Sequence, residues 1–384
     1  MKKLLIICPH YNDNHVSSFR ISAIERECEI AGYIVNILTL GTELSLGGRV
    51  STVVDNHFKN NFTHLFTINK NKVDFYNFFN SYDGVVISMP NFKFIQLLDI
   101  IPERVKVVLD YRDQIDFDYF SRQSKFSKNK IAKLLSYLDM INSYRVHAHY
   151  IRRNIGKVLA ITCVGEKACE SFSSRMITLD AKLFNVHNGF DYDDLHFLKN
   201  SGTYSNSDFE KNVIKIGLSG SIYDFRCSDT LYSLFSSILE KAEGLDIQIY
   251  HWGSSCRKLL EILSHFKKIK YFPVGRMQRK TYLDEIYKMD YLLLLCSDNI
   301  CWEPTTTVFD YILLKKPIIY CGNECNEAVR ILNDCKVNYK TYKNSFDFDS
   351  AEMAANYNVK YDDLLKYERQ RNASKFVEIF SSGL

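Results

Sequence analysis

Short, continuously apolar runs alternate with amphipathic stretches over almost the whole chain, and that rhythm limits the possible folds more than any other feature. The runs are Leu4–Cys8, Ile34–Thr39, Val85–Ser88, Val105–Asp110 and Val158–Cys163, then Val213–Ser219, Leu245–Tyr250, Tyr291–Cys296 and Pro317–Tyr320. Strands that are apolar without polar alternation suit parallel sheets covered by helices on both faces. Helical periods lie between them, such as Ile21, Ile24, Cys28 and Ala31, closed by Gly32, a residue favoured just past a helix end. The expected class is α/β with doubly wound, Rossmann-like sheets.

The rhythm breaks once. Between about Tyr192 and Asn212 the chain turns polar, with Asn200-Ser201-Gly202-Thr203-Tyr204-Ser205-Asn206-Ser207-Asp208 at its centre. A length of 384 residues has room for two domains, each with its own core. The expectation is a first domain over 1–198 and a second over 212–360, facing each other across a cleft. A helical segment, 361–384, would cross back to the first domain. No apolar run approaches the ~20 residues of a membrane span, and Met1–His10 reads as a buried first strand rather than a signal peptide. Eleven cysteines, scattered and odd in number, suit a reducing cytoplasm. Cys296, Cys301, Cys321, Cys325 and Cys335 lack zinc-site spacing and read as buried small hydrophobes.

Two segments of the second half carry chemistry. Val213–Ser219 runs into Gly220-Ser221-Ile222-Tyr223-Asp224-Phe225-Arg226. Small residues there let backbone N–H groups approach an anion, and Arg226 could grip it. The pattern is neither GxGxxG nor a Walker loop, so neither NAD nor ATP follows. A tight strand-to-helix turn explains Gly220 equally well. In the other segment, Glu303-Pro304-Thr305-Thr306-Thr307-Val308-Phe309-Asp310-Tyr311, Pro304 suits a helix start and Pro317 a stop. Thr305, Thr306 and Thr307 would present hydroxyls and free N–H groups at the positive helix end. Asp310 lies one turn later on their face, where it could accept hydrogen bonds from a ribose. A helix cap with a solvated aspartate is the plainer reading.

Four features together resemble the two-domain GT-B glycosyltransferases, most closely glycosyltransferase family 4 and its surface-polysaccharide relatives. Phe309-Asp310-Tyr311 with Lys316-Pro317-Ile318-Ile319 is similar to the sugar-nucleotide helix of that family. Asn185-Val186-His187-Asn188-Gly189-Phe190-Asp191 is similar to the turn closing its first domain. The Ser-Gly-Ser turn with Arg226 stands where the family binds pyrophosphate, and Asp110-Tyr111-Arg112-Asp113 resembles its D-x-R-D segment. The usual Glu-x7-Glu is absent, Thr307 replaces a basic residue, and the basic residue expected after Arg226 is missing. The resemblance therefore leaves phosphate charge to Arg226, the helix N-terminus, and Arg276 or Arg279.

The resemblance implies a donor site of Ser219, Gly220, Ser221, Arg226, Arg276, Thr305, Thr306, Thr307 and Asp310. Asp113, with Arg112 beside it, would be catalytic: a general base giving inversion, or a group orienting the acceptor in a retaining reaction. A structural Arg112–Asp113 ion pair is the alternative. His10, His15 and Arg20, in the loop after the first strand and the helix start, are candidate acceptor contacts. GT-B enzymes hold diphosphate without a metal, so the acidic runs Asp191–Asp194 and Phe346–Asp349 are given no metal, and no cofactor is expected beyond the nucleotide-sugar co-substrate.

Charge is unevenly spread. The chain carries only +4, but residues 121–160 hold nine basic side chains against the single acid Asp139. Ile131, Leu134, Leu135, Leu138 and Ile141 give this stretch an amphipathic helical period. A basic amphipathic helix suits an anionic membrane surface carrying a lipid-linked acceptor; a core-facing stripe with a solvated basic face is the alternative. No nucleic-acid motif accompanies the charge. The expected protein is a cytoplasmic glycosyltransferase, peripheral at the inner membrane face, moving sugar from a nucleotide-diphosphate donor to a glycan in bacterial surface-polysaccharide assembly. The rivals are a sugar-nucleotide epimerase on the same architecture and a non-catalytic nucleotide-sugar-binding protein.

Overall fold

The computed structural model describes residues 1–8, 11, 16–40, 50–53, 72–89, 94–112, 148–175, 182–194, 212–302, 306–341 and 361–383. The chain forms two compact units: Met1–Asn188 with Arg369–Leu384, and Gly189–Glu368.

The first unit contains β1 (Lys3–Cys8), α1 (Val16–Ile30), β2 (Ile34–Leu40), β3 (Val50–Val53), α2 (Lys72–Asn80), β4 (Gly84–Met89) and β5 (Lys106–Tyr111). β6 (Val158–Cys163), α3 (Glu166–Arg175) and β7 (Lys182–Asn185) follow. All seven strands are parallel, in the order β3-β2-β1-β4-β5-β6-β7. The chain winds outward from β1 in both directions, so strand order reverses between β1 and β4. β4 is buried along its whole length, as expected of a central parallel strand.

The second unit contains β8 (Val213–Ser219), α4 (Asp229–Lys241), β9 (Asp246–Trp252), α5 (Arg257–Ser264), β10 (Ile269–Pro273) and α6 (Arg279–Tyr287). It continues with β11 (Tyr291–Leu295), α7 (Thr307–Leu314), β12 (Ile318–Cys321), α8 (Glu327–Asp334), β13 (Tyr339–Lys340) and α9 (Tyr361–Leu365). Its six parallel strands are ordered β10-β9-β8-β11-β12-β13, reversing between β8 and β11. Each sheet face has its own core. Leu231, Leu234 and Phe235 of α4 pack on one, and Leu283, Ile286, Val308, Phe309 and Ile312 of α6 and α7 on the other.

Both domain boundaries fall elsewhere than the sequence suggests. The first unit ends at Asn188 instead of 198, and its returning segment begins at Arg369 instead of 361. The reason is a backbone clasp inside the second unit: the Phe190 N–H donates to Tyr367 O at 3.1 Å, and Phe190 bridges Glu368. Phe190, Leu364 and Tyr367 are buried in the core formed with α6 and α7, which holds α9 in the second unit. Helix α10 (Arg369–Gly383) then joins the first, where Ala373, Phe376 and Phe380 pack with Ile21 and Ile24 of α1. Most of the expected linker, 195–211, lies outside the described residues.

The cysteine expectation also needs correcting. Nine form no disulfide, Cys296, Cys321 and Cys335 among them being buried, but Cys301 and Cys325 are joined to each other in one. They are not buried hydrophobes: Cys325 is exposed and Cys301 only partly covered, because both stand in loops beyond strand ends.

Candidate functional site

In an open parallel sheet, ligands bind beyond the carboxyl ends of the strands where strand order reverses. In the second unit that point lies between β8 and β11. β8 ends in Ser219, followed by Gly220 at φ 89°, a left-handed conformation that glycine adopts without Cβ strain. The Gly220 N–H donates to Trp252 O at 2.9 Å. β11 leads to α7, which starts at Thr307, and Thr307 Oγ1 stands 3.3 Å from where a Cβ on Gly220 would be. The expected turn and helix start are thus neighbours. Thr306 occupies the N-cap position without a side-chain capping bond; Thr305, with Glu303 and Pro304, lies outside the described residues. α7 is capped by Lys315, in the αL conformation two residues before Pro317.

Asp310, one turn into α7, is clamped bidentately by Arg279: Oδ1 accepts from Nη2 at 2.6 Å and Oδ2 from Nη1 at 2.8 Å. Arg279 Nε and Nη2 also donate to Asp194 Oδ2, at 3.1 and 2.8 Å. One guanidinium therefore serves two carboxylates. Burial opposes the charge on Arg279, but Asp310 and then Asp194 more than offset it and its pKa rises. Burial raises the Asp194 carboxyl, against the pull of Arg279. The Tyr282 hydroxyl shares its proton between Ser219 Oγ, at 2.8 Å, and Asp310 Oδ2, at 3.3 Å. The Ser219 N–H donates to the Tyr311 hydroxyl at 3.0 Å, and that hydroxyl faces Leu293 O at 3.2 Å. Ser219 is thereby tied to Asp310 through Tyr282 and to the backbone of β11 through Tyr311. Burial pushes both hydroxyls up; Asp310 adds to this at Tyr282, and the Ser219 N–H opposes it at Tyr311.

The remaining donor candidates are spread more widely. Ser221 Oγ accepts from Ser254 Oγ at 2.8 Å. Arg226 is buried and folded back on its own turn: Nη1 donates to Ser221 O at 3.3 Å, and the guanidinium lies 5.7 Å from both the Tyr223 and Phe225 ring centres. Arg276 is exposed on the loop after β10. Arg279, at the start of helix α6, and not Arg276 reaches Asp310. Asp194 and His251 were given no role by sequence reasoning. The only signal for Asp194 was its place in an acidic run; for His251 there was none.

In the first unit, Arg20 is a scaffold residue and not an open acceptor contact. Its Nε and Nη2 donate to Asp110 at 2.9 and 2.6 Å, and Nη1 to the carbonyl oxygens of Val186 and His187 at 2.8 and 3.3 Å. Thr162 Oγ1 donates to Asp110 Oδ1 at 2.6 Å. Arg112 follows the end of β5, and its Nε is shielded from solvent with no hydrogen-bond partner. Asp113, His10 and His15 lie outside the described residues, as do 121–147 of the basic stretch. Within the described part of that stretch, Lys157 Nζ is spent on Leu98 O and Ile101 O, each at 2.8 Å, and Arg153 pairs with Asp99 at 3.5 Å.

No protein-family model and no curated protein matches this chain. Solved structures match it along its length. The Anabaena protein Alr3699/HepE, solved in complex with UDP and glucose, is 11% identical with a TM-score of 0.61 and covers 100% of both chains. A glycosyltransferase from Rickettsia africae ESF-5 is 13% identical with a TM-score of 0.63, covering 99% of this chain and 98% of its own. The α,α-trehalose 6-phosphate synthase of Burkholderia multivorans is 10% identical with a TM-score of 0.63, at the same coverage. At such identities the likeness is one of architecture, and the two Rossmann-like units of this chain have the GT-B fold.

Proposed function

We propose that this chain is a glycosyltransferase that takes a sugar from a nucleotide-diphosphate donor. One observation carries the reading: the Gly220 turn stands against Thr307 at the start of α7, with Asp310 one turn later. That arrangement offers backbone N–H groups and a helix N-terminus to a diphosphate and a carboxylate to ribose hydroxyls. Arg279 keeps Asp194 as a partner when Asp310 turns to the ribose. Alr3699/HepE, of the same fold, was solved with UDP and glucose, which makes UDP the first nucleotide to try. The acceptor is a glycan, lipid-linked, in bacterial surface-polysaccharide assembly, with Arg112 and Asp113 of the first unit on the acceptor side. The basic stretch 121–160 supports contact with the inner membrane face, although no described helix is long and apolar enough to cross a membrane.

Calorimetry with UDP, GDP, ADP and dTDP tests the donor reading. One of them binds, and binds more weakly to Asp310→Ala; no binding by any of the four overturns it. Sedimentation with anionic liposomes tests the membrane reading. Binding should fall as salt rises, and salt-independent binding or none counts against it.

A further inference from the structure

Behind the Gly220 turn stands His251, in β9 and fully buried. Its Nε2 is 2.8 Å from Gly220 O and its Nδ1 2.6 Å from the Tyr271 hydroxyl. A carbonyl oxygen only accepts, so Nε2 carries the hydrogen and Nδ1 a lone pair, to which Tyr271 donates. The Gly220 carbonyl thereby selects the tautomer, and Tyr271 anchors the other ring nitrogen. Burial lowers the His251 pKa, in keeping with a neutral ring. The Gly220 residue is gripped on both sides, its N–H by Trp252 O and its carbonyl by His251. Gly253 admits this approach, since a Cβ there would lie 2.2 Å from Gly220 O.

The carbonyl of Gly220 and the N–H of Ser221 belong to one planar trans peptide and point in opposite directions. Holding the carbonyl toward β9 therefore sets the direction of the Ser221 N–H, away from His251. We propose that His251, anchored through Nδ1 by Tyr271, is a positioning residue that orients the Gly220–Ser221 peptide so that the Ser221 N–H faces the diphosphate of the nucleotide donor. This rests on the donor reading above. It adds a residue that touches no ligand and acts only through the backbone of the turn.

Two measurements on the full chain test it: hydrogen exchange of the peptide spanning Ser219–Tyr223, and UDP affinity by calorimetry. His251→Leu removes the donor to Gly220 O; His251→Gln keeps an amide N–H at nearly the reach of Nε2; Tyr271→Phe keeps the imidazole but removes the anchor on its Nδ1. The leucine variant is expected to raise exchange in that peptide and weaken UDP about tenfold, the worth of one hydrogen bond to a buried acceptor. The glutamine variant should restore both to within about threefold, and Tyr271→Phe should fall between. Unchanged exchange at Ser219–Tyr223 in His251→Leu overturns the proposal, as does a glutamine variant no better than leucine. Should the leucine variant fail to fold, wild-type exchange and affinity in Tyr271→Phe overturn it. If the wild-type chain binds no UDP, the donor reading loses its first ligand. The exchange series then decides separately whether His251 holds the turn.

Discussion

Each unit of the chain sets an arginine against aspartate near the carboxyl ends of its strands, but the two assemblies differ in closure and in charge balance. In the first unit, side-chain exposure is 4% for Arg20 and 0% for Asp110, and the other acceptors around Arg20 are neutral oxygens. In the second, Arg279 is 30% exposed, Asp310 14% and Asp194 11%, and two carboxylates share one guanidinium. A closed one-to-one pair has no capacity left for a ligand. An assembly with surplus carboxylate and solvent access does, because Asp310 can exchange arginine for incoming hydroxyl donors while Arg279 keeps Asp194. The same residue types thus serve as scaffold in one unit and as candidate binding machinery in the other.

The largest expected effect breaks the closed pair. Arg20→Leu strands the Asp110 carboxylate in the core, which costs roughly 3–5 kcal/mol. Urea unfolding of the full chain measures it, and a loss below about 1 kcal/mol would show that Asp110 is not sealed. Next comes Gly253→Ala in the second unit. Its Cβ would meet the backbone oxygen of Gly220 at 2.2 Å, which cannot rotate away as a side chain could. Overpacking of that kind costs about 1–3 kcal/mol, read as a lower melting temperature. Asp310→Ala sharpens the contrast: UDP affinity should fall about tenfold, while stability falls less than in Arg20→Leu because Arg279 retains Asp194. Equal stability loss with unchanged affinity would make Asp310 as structural as Asp110.

The smallest effect is a pH dependence that arises from His251 in the second unit. Burial holds the folded-state pKa of His251 below its ordinary 6.5, so the unfolded chain binds the proton more readily. Its stabilising contribution is complete above about pH 6.5 and is lost as pH falls from there through the folded-state value. Thermal melts from about pH 8 to 5 should show wild type losing more than His251→Gln. Equal slopes would mean the ring is not neutral by burial. The difference between the two chains separates the histidine from Asp194, whose carboxyl is raised by burial and acts in the opposite sense.

Much of the candidate site's local structure was legible because its parts are local in the chain. Ser219-Gly220-Ser221 follows an apolar strand, and Thr307 and Asp310 are one helical turn apart; spacing alone places them. The partners of Asp310 were not legible in that way. Asp194 comes from a segment 85 residues before Arg279, and Arg279 stands 31 before Asp310. Arg20 read as a loop-side cation, since nothing local marks Asp110, 90 residues on, as its partner. The Cys301–Cys325 bridge, spanning 24 residues, left no spacing signature either.

All nine strands read from apolar runs are present, and among the described residues the four unread ones, β3, β7, β10 and β13, are the sheet edges. Interior strands are covered on both faces and must be apolar throughout, so composition alone declares them. Edge strands are relieved of that demand. No residue of β7 or β13 is buried, and only Ile269 is in β10. The sequence by itself determined the central strands, the doubly wound class and the local turn and helix of the candidate site, because burial and backbone geometry act over a few residues. Tertiary structure alone decided the edges, the unit boundaries at Asn188 and Arg369, and which carboxylate each arginine neutralises. Those depend on contacts between residues far apart in the chain, whose pairing is settled only when the sheets assemble.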